Sequence, residues 1–352
     1  MKKNIVIIGG GVAGLCAAIR LGELGEAPLL IEGGTYPTHK VCGEFLSPEC
    51  LKFLHAWNIY PIPIPQAVLR TSTRCLTFQF PSPAGGMSHM HLDPALANHA
   101  LKSGAKIYTN TQVKAFHPKK QATGMHRIHL SNGEVLEASH AIIATGRIPS
   151  YSTRAPEMAY MGFKAHFKDI ASTGDLEMFS LPGAYLGIAP VENETYNIAC
   201  LARLKSVNQW SSPRAFIENL LTQNPYLNAS LSQGRNLFDQ WMVASVPAFG
   251  IKQTPDWMDT FFIGDAAVTV PPACGNGLAM GVIGGRLSAE YALKHSAADF
   301  KAMWVKRCTS QMFWAKLLHQ FMLNPRYGNP LLHLAQHFPY LSQKIFDFTR
   351  QS

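Results

Sequence analysis

Charged side chains are few in this chain: of 352 residues, 15% are Asp, Glu, Lys or Arg, while 47% are apolar. A composition so poor in charge and so rich in core-forming residues is that of a globular protein, long enough for two substructures that share a core. Cysteine is sparse as well: seven residues, an odd number, with no C-x-x-C pair. That argues against a disulfide framework or a zinc knuckle and fits a reduced, cytoplasmic setting. Long apolar runs are missing; no window approaches the roughly 18 uninterrupted apolar residues of a membrane span. There is no internal repeat and no low-complexity linker. The formal charge of +9 comes without a Lys/Arg run or interleaved basic and aromatic residues, so nucleic acid is not an expected partner. An anionic surface or an acidic substrate stays open.

Glycine carries the strongest pattern. Residues 4–8 read as an apolar, β-branched strand, followed by Gly9-x-Gly11-x-x-Gly14, an alanine-rich helix over 15–24, a second strand over 28–31, and Glu32. Gly9 permits a tight turn out of the strand, Gly11 lets a pyrophosphate approach the backbone, and Gly14 lets helix and strand pack closely. The helix N-terminus turns free N–H groups and partial positive charge toward the phosphates. Glu32 stands where it can accept hydrogen bonds from ribose hydroxyls. Met1-Lys2-Lys3 before an apolar run has the outline of a signal peptide, but the glycine triplet interrupts it and no cleavage-like stretch follows. A retained, folded N-terminus is expected.

A second signal lies far along the chain. A buried strand over 261–263 runs into Gly264-Asp265-Ala266-Ala267, then Pro271-Pro272, then Gly275-x-Gly277 opening a helix over 278–294. Asp265 can bond a ribityl or ribose hydroxyl, and the glycine pair frees the backbone at another helix start. A short buried strand over 140–144 ends in Thr145-Gly146-Arg147, and all three strands are expected in one parallel sheet. Two polar cradles imply a long ligand with a sugar at each end, which suits FAD better than NAD. Elsewhere strands are expected over 67–70, 76–80, 106–109, 114–116 and 127–130, with 61–66 Pro-interrupted, 81–86 a turn and 94–102 a helix. Ser47 and Pro48 fit the cap and first position of a helix over 49–57,. Strand candidates over 162–167, 176–180, 184–188 and 196–204 suit an antiparallel substrate wall, followed by a helix over 213–221 capped by Ser212,.

Taken together, Gly9 to Gly14 with Glu32, Ala144-Thr145-Gly146, and Gly264-Asp265 through Gly275-x-Gly277 resemble FAD-dependent oxidoreductases of the p-hydroxybenzoate hydroxylase fold. Lys40-Val41-Cys42-Gly43-Glu44, Gly162-Phe163-Lys164-Ala165-His166 and Ala184-Tyr185-Leu186-Gly187-Ile188-Ala189-Pro190 are similar to the geranylgeranyl reductase-like branch. The resemblance spans residues 1 to 294. It implies an α/β fold: a Rossmann-like FAD-binding domain of glutathione-reductase type over 1–60, 88–150 and 255–294, an inserted, mostly antiparallel substrate-binding sheet over 61–87 and 151–254, and C-terminal helices over 295–352. It further implies non-covalent FAD wedged between the two parts and an apolar, lipid-like or polyketide-like substrate. The cofactor-contacting residues so implied are Gly9, Gly11, Val12, Ala13, Gly14, Glu32, Gly33, Lys40, Cys42, Gly43, Thr145, Gly146, Gly264, Asp265, Pro272, Gly275, Gly277 and Leu278, with no metal. Ser88 is followed by His89 where the family often has Arg, and the Tyr-x-Trp-x-x-Pro signature of isoprenoid reductases reads Tyr185-x-Gly187-x-x-Pro190. The paired-tryptophan motif of flavin halogenases is missing.

Chemistry in such a site belongs largely to the flavin, while the protein orients, excludes water and handles protons. The expected reaction is reduction of a carbon–carbon double bond, or the reverse dehydrogenation, by hydride transfer at flavin N5. Monooxygenation through oxygen added to the reduced flavin is the alternative, and a non-catalytic flavin-binding accessory subunit is a third reading. With no second glycine-rich nucleotide unit, NAD(P)H would visit transiently or an electron-donor protein would take its place. Cys42, His166 and Tyr185 are the candidate proton donors; each also reads plainly, as a small core residue, a satisfied sheet residue and a pocket wall respectively. His89-x-His91 sets two imidazoles on one strand face without a third ligand, and His333 with His337 lack an intervening Glu, so neither reads as a metal site. Residues 295–352 hold seven Lys or Arg against two Asp or Glu, with Phe313, Trp314, Leu317, Leu318, Phe321 and Met322 at near-helical spacing and Phe338, Tyr340, Phe346 and Phe348 beyond. Helices that close the substrate tunnel are one reading; a basic amphipathic face, peripheral to the inner side of a membrane, is the other.

Overall fold

The computed structural model describes residues 3–147, 157–337 and 350. Its centre is a five-stranded parallel sheet in the order Thr260–Phe262, His140–Ile143, Ile5–Ile8, Leu29–Ile31, Lys106–Tyr108. Every residue of the middle strand Ile5–Ile8 is buried. That explains its unbroken apolar run: a parallel strand covered on both faces has no polar side to alternate with. Segments more than a hundred residues apart therefore meet side by side, with Ile8 paired to Ile143 and Ile143 to Phe262.

Small residues let the helices on this sheet approach closely. A Cβ added to Gly14 would lie 2.0 Å from the Gly9 carbonyl oxygen, and one added to Gly285 would lie 2.3 Å from that of Ala13. Helices Val12–Glu23 and Gly277–Lys294 thus touch backbone to backbone. At their rim Arg20 pairs with Glu290 at 2.7 Å, and Arg286 lies over the Phe53 ring at 4.5 Å from its centroid. A small meander, Val113–His117, His126–Leu130 and Val135–Ala138, adds Ile128, Leu130 and Ala138 to the same core.

The second sheet has nine strands, nearly all antiparallel. Strands Met158–Lys168, Thr195–Arg203, Ala184–Val191 and Leu176–Leu181 are neighbours in that order, and Leu176–Leu181 then pairs in parallel with Ile62–Arg70. Period-two alternation divides its faces. Phe163, Phe179, Leu186 and Ile198 lie on one face, under Phe216, Ile217, Leu220 and Leu227 from helices Pro213–Thr222 and Pro225–Leu231. Lys164, His166, Asn197 and Tyr185 lie on the other, turned toward the nucleotide-type sheet. Helix Pro213–Thr222 is capped as expected, with the Ser212 hydroxyl accepting from the Ala215 N–H at 3.1 Å.

Two local expectations are corrected. The Pro-interrupted segment 61–66 and the turn 81–86 belong to a long hairpin, Ile62–Arg70 with Cys75–Gly86. Its register breaks between Ile64 and Gln66, so Pro65, Pro81 and Pro83 occupy unpaired positions where a missing N–H costs the ladder nothing. The helix expected over 94–102 begins earlier, at His89 after the N-cap Ser88, and carries Pro94 inside it. His89 and His91 therefore stand in its first turn, not on a strand face. Helices Ala297–Met322 and Pro325–His337 follow; Phe338, Tyr340, Phe346 and Phe348 lie outside the described residues.

Candidate active site

The glycine turn after Ile5–Ile8 is built from strained and open positions together. Gly9 has φ +105, and a Cβ there would come within 2.3 Å of the Ala144 oxygen, whereas a Cβ on Gly11 would meet nothing within 4 Å. Gly11 caps the helix that starts at Val12 without any side chain over its free N–H groups. Glu32 braces the turn, Oε2 accepting from the Gly10 N–H at 2.6 Å and Oε1 from the Gly34 N–H at 2.8 Å. The Tyr36 hydroxyl donates to the Gly10 oxygen at 2.6 Å. Gly33 packs near Gln112. Gly146, at φ +79, faces open space, and the half-buried Thr145 hydroxyl oxygen has no hydrogen-bond partner among the described residues.

The second cradle faces the same cleft. Gly264, at φ +56, places its α-carbon where an added Cβ would be 3.0 Å from that of Ala13. Burial pushes the Asp265 carboxyl upward, against the pull of the Arg147 and Lys252 cations. Pro272 opens the short turn Pro272–Cys274; Gly275 follows at φ +65, where a Cβ would strike the Phe45 ring at 2.7 Å. Gly277 and Leu278 then begin helix Gly277–Lys294.

Between the cradles runs the loop of Lys40, Cys42, Gly43 and Glu44. A Cβ on Gly43 would meet nothing within 4 Å. Cys42 is half-buried, its sulfur accepts from the Glu44 N–H at 3.4 Å, and its carbonyl accepts from Asn197 Nδ2 at 3.0 Å. The Cys42 thiol also lies within the influence of the His89 imidazole. Burial would raise its pKa, but His89 outweighs burial and holds it below the ordinary thiol value. His89 Nδ1 lies 2.9 Å from Asp93 Oδ1, and Lys40 Nζ lies 2.6 Å from Asp93 Oδ2. Burial works against the imidazolium, yet Asp93 and Cys42 lift His89 to about 9. Cys42, His89 and Asp93 thus form one electrostatically coupled group, with His89 Nδ1 held by Asp93.

The loop is pinned by Glu44, fully buried with a left-handed backbone at φ 52. Oε1 accepts from Lys164 Nζ and, at 2.8 Å, from the His89 N–H; Oε2 meets His166 Nε2 at 2.7 Å. Burial raises the Glu44 pKa, but His166 and Lys164 overcome it, and the carboxyl titrates below its usual range. His39, edge-on to His166 at 5.0 Å, completes a set of three groups whose ligand atoms lie within 4.8 Å of one another. Lys164 balances the carboxylate there, while His39 Nδ1 is buried without a hydrogen-bond partner among the described residues. Nearby, Glu192 accepts from the Ser88 N–H at 3.0 Å and pairs with His91 Nδ1 at 2.7 Å.

Of the proposed proton donors, the structure gives Cys42 an acid–base partner, binds His166 into the Glu44 cluster and buries Tyr185. Burial drives the Tyr185 phenol well above its ordinary value, which keeps it protonated. The roles of Glu44, Lys164, His89, Asp93 and Asn197 were missed from sequence. Lys164 and His166 could have been found by their spacing of two on one strand, and His89 with Asp93 by their spacing of four once the helix start is known.

Two outcomes are expected. Lys164→Met leaves Glu44 buried and short of its cation, which should cost about 3–5 kcal/mol in urea unfolding; Glu44→Gln added to it should restore part of the loss. Because the Glu44 pKa is depressed on folding, its contribution is present above the unfolded carboxylate range and is lost as pH falls through the folded value, so the Lys164→Met deficit should shrink in acid. Separately, alkylation of Cys42 by iodoacetamide, followed by peptide mass spectrometry, should proceed below the ordinary thiol titration. His89→Gln should move that profile to higher pH, and an unmoved profile contradicts the Cys42–His89 pairing.

No family model matches the chain. Among curated proteins it is 24% identical over 338 residues to the menaquinone reductase of Mycobacterium tuberculosis, covering 86% of this chain and 79% of that protein. Among solved structures, the flavin-dependent brominase Bmp2 superposes with a TM-score of 0.79 at 15% identity, covering 99% of this chain and 93% of that one. The halogenase PltM superposes with a TM-score of 0.76 at 15% identity, covering 99% and 85%. The chain has the fold of the flavin-dependent halogenases, which is the p-hydroxybenzoate hydroxylase type of FAD-binding architecture.

Proposed function

We propose that this chain is an FAD-dependent oxidoreductase that reduces an unsaturated, apolar, lipid-like substrate. The observation that carries the reading is the Cys42–His89–Asp93 group, a proton store on the loop between two glycine cradles. The cradles fit FAD: open backbone at Gly11, Gly43 and Gly146, an unpartnered Thr145 hydroxyl, and carboxylates at both ends in Glu32 and Asp265. Residues 9–14 would hold the pyrophosphate, Glu32 the adenosine ribose, Asp265 the ribityl chain, and Gly275 with Gly277 the ring edge. When bound, FAD would supply hydride transfer. The protein supplies the rest: Asp93 fixes the His89 ring, His89 shares a proton with Cys42, and the sheet wall of Met178, Tyr185 and Leu201 keeps water away,. Likeness to menaquinone reductases over 86% of the chain favours a lipid-like quinone or its prenyl chain as substrate. Electrons would come from NAD(P)H visiting transiently, or from a partner protein. Likeness to the halogenases and brominase favours a second reading, oxygen-dependent monooxygenase-type chemistry.

The two readings separate by gas phase. FAD-loaded protein, reduced by dithionite and mixed with a prenylated naphthoquinone under nitrogen, should reoxidise with formation of reduced substrate. Reoxidation only on admitting oxygen, with an oxygenated product, contradicts the reductase reading. Gly11→Val should fill the pyrophosphate path and lose FAD on gel filtration.

Membrane-surface contact is part of the same proposal. Among the described residues no helix is long and apolar enough to cross a membrane. Helix Ala297–Met322 buries Phe300, Trp304, Cys308, Met312, Ala315, His319 and Met322, yet Phe313 is 64% and Leu317 40% exposed, beside exposed Lys316 and, in the next helix, Arg326. Co-sedimentation with vesicles should require anionic lipid and weaken with salt. Equal binding to neutral vesicles, or none, contradicts it.

A further inference from the structure

Helix Ala297–Met322 buries Cys308, Met312, Ala315 and Met322 together with two polar side chains, Gln311 and His319. His319 is 1% exposed, and neither ring nitrogen has a hydrogen-bond partner among the described residues. Its ring stands edge-on to Tyr160 at 5.1 Å, Phe249 at 5.0 Å and Tyr185 at 5.7 Å. The Tyr185 hydroxyl, also buried, has no side-chain partner among the described residues; its oxygen faces the backbone of Ala273, in the turn before Gly275, which leaves its O–H proton to donate. Met178, Leu201, Leu318 and Met322 complete the surroundings.

An orphaned buried polar group destabilises a fold by its full desolvation penalty, and few native positions carry one without a reason. His319 and Tyr185 sit on facing elements beside the turn that leads into the second cradle, where leucine and phenylalanine would fill the space without that cost. Their chemistry narrows the ligand. Burial, with Arg203 adding to it, pulls His319 down to about 4, so at neutral pH it offers an uncharged N–H. Arg203 itself is engaged with Gln320 Oε1 at 2.9 Å. Tyr185 offers an uncharged O–H. Neutral donors in an apolar, aromatic enclosure match a neutral acceptor and give little to a carboxylate or phosphate, whose desolvation they could not offset.

We propose that His319 and Tyr185 form the polar anchor of the substrate site and bind the carbonyl oxygen of an apolar ring, beside the stacked pair of Tyr160 and Phe249. This deepens the proposed function and rests on it only for the substrate class, a quinone-like ring. The imidazole, whose second nitrogen is an acceptor, would leave that side for a ring hydroxyl once the carbonyl is reduced.

The test uses the FAD-loaded protein and 2-methyl-1,4-naphthoquinone as probe, followed by flavin and tryptophan fluorescence, with carbonyl-free 2-methylnaphthalene in parallel. His319→Leu and Tyr185→Phe should each weaken quinone binding about tenfold, the loss of one hydrogen bond to a buried acceptor, and leave 2-methylnaphthalene binding and FAD content unchanged. His319→Gln, which keeps a donor, should recover part of the affinity. His319→Leu should not lower the melting temperature, since it removes a buried polar group that has no partner among the described residues. Quinone binding unchanged in His319→Leu, or both probes weakened alike, overturns the anchor. A wild-type protein that reduces a carbonyl-free alkene but binds no quinone also overturns it, while the reductase reading survives. Quinone binding that depends on His319 without any anaerobic turnover leaves the anchor standing and removes the reductase reading.

Discussion

The structure depends on one buried carboxylate. Glu44 sits in a left-handed backbone conformation that costs a non-glycine residue on the order of 1–2 kcal/mol, at the point where loop, helix and sheet meet. It accepts from Lys164 and His166 on the large sheet and from the backbone of His89 at the start of helix His89–Lys102. Removing a carboxylate and an ammonium from water is expensive unless each finds the other and their remaining bonding capacity is filled. Here both conditions are met, so the loop can occupy only one position relative to the sheet. Cys42 and Gly43, immediately before Glu44, inherit that position.

From this joint the site assembles in layers. The nucleotide-type sheet sets two helix starts side by side, and glycine contacts between Val12–Glu23 and Gly277–Lys294 keep them close. The pinned loop lies between them with its thiol under the influence of His89, which Asp93 holds. The large sheet supplies the opposite wall, polar near Glu44 and apolar toward Tyr185, where helix Ala297–Met322 closes it with His319.

Much of the architecture was legible because each cradle is written in contiguous residues. Gly9, Gly11 and Gly14 serve one turn and one helix start, so spacing alone reveals them, and Asp265 with Gly275 and Gly277 does the same. What failed to show were features made by tertiary context. Prolines at 81 and 83 read as a turn because a regular strand rejects them, yet a broken register between Ile64 and Gln66 removes the conflict. Pro94 read as a helix start because proline prefers the first turn, whereas the true cap is Ser88, held from outside by Glu192. That error hid the spacing of His89 and Asp93. Lys164 was invisible as a core residue because nothing near it in sequence announces the carboxylate that neutralises it. His319 sits in an amphipathic stripe whose apolar members explain the helix without it.

The account stands most directly on the cofactor. Purified protein should be incubated with FAD, freed of excess by gel filtration, and examined by visible absorption, with the released small molecule identified by mass. A yellow protein carrying close to one FAD per chain is the expected result. A colourless protein after reconstitution would contradict the reading of both cradles.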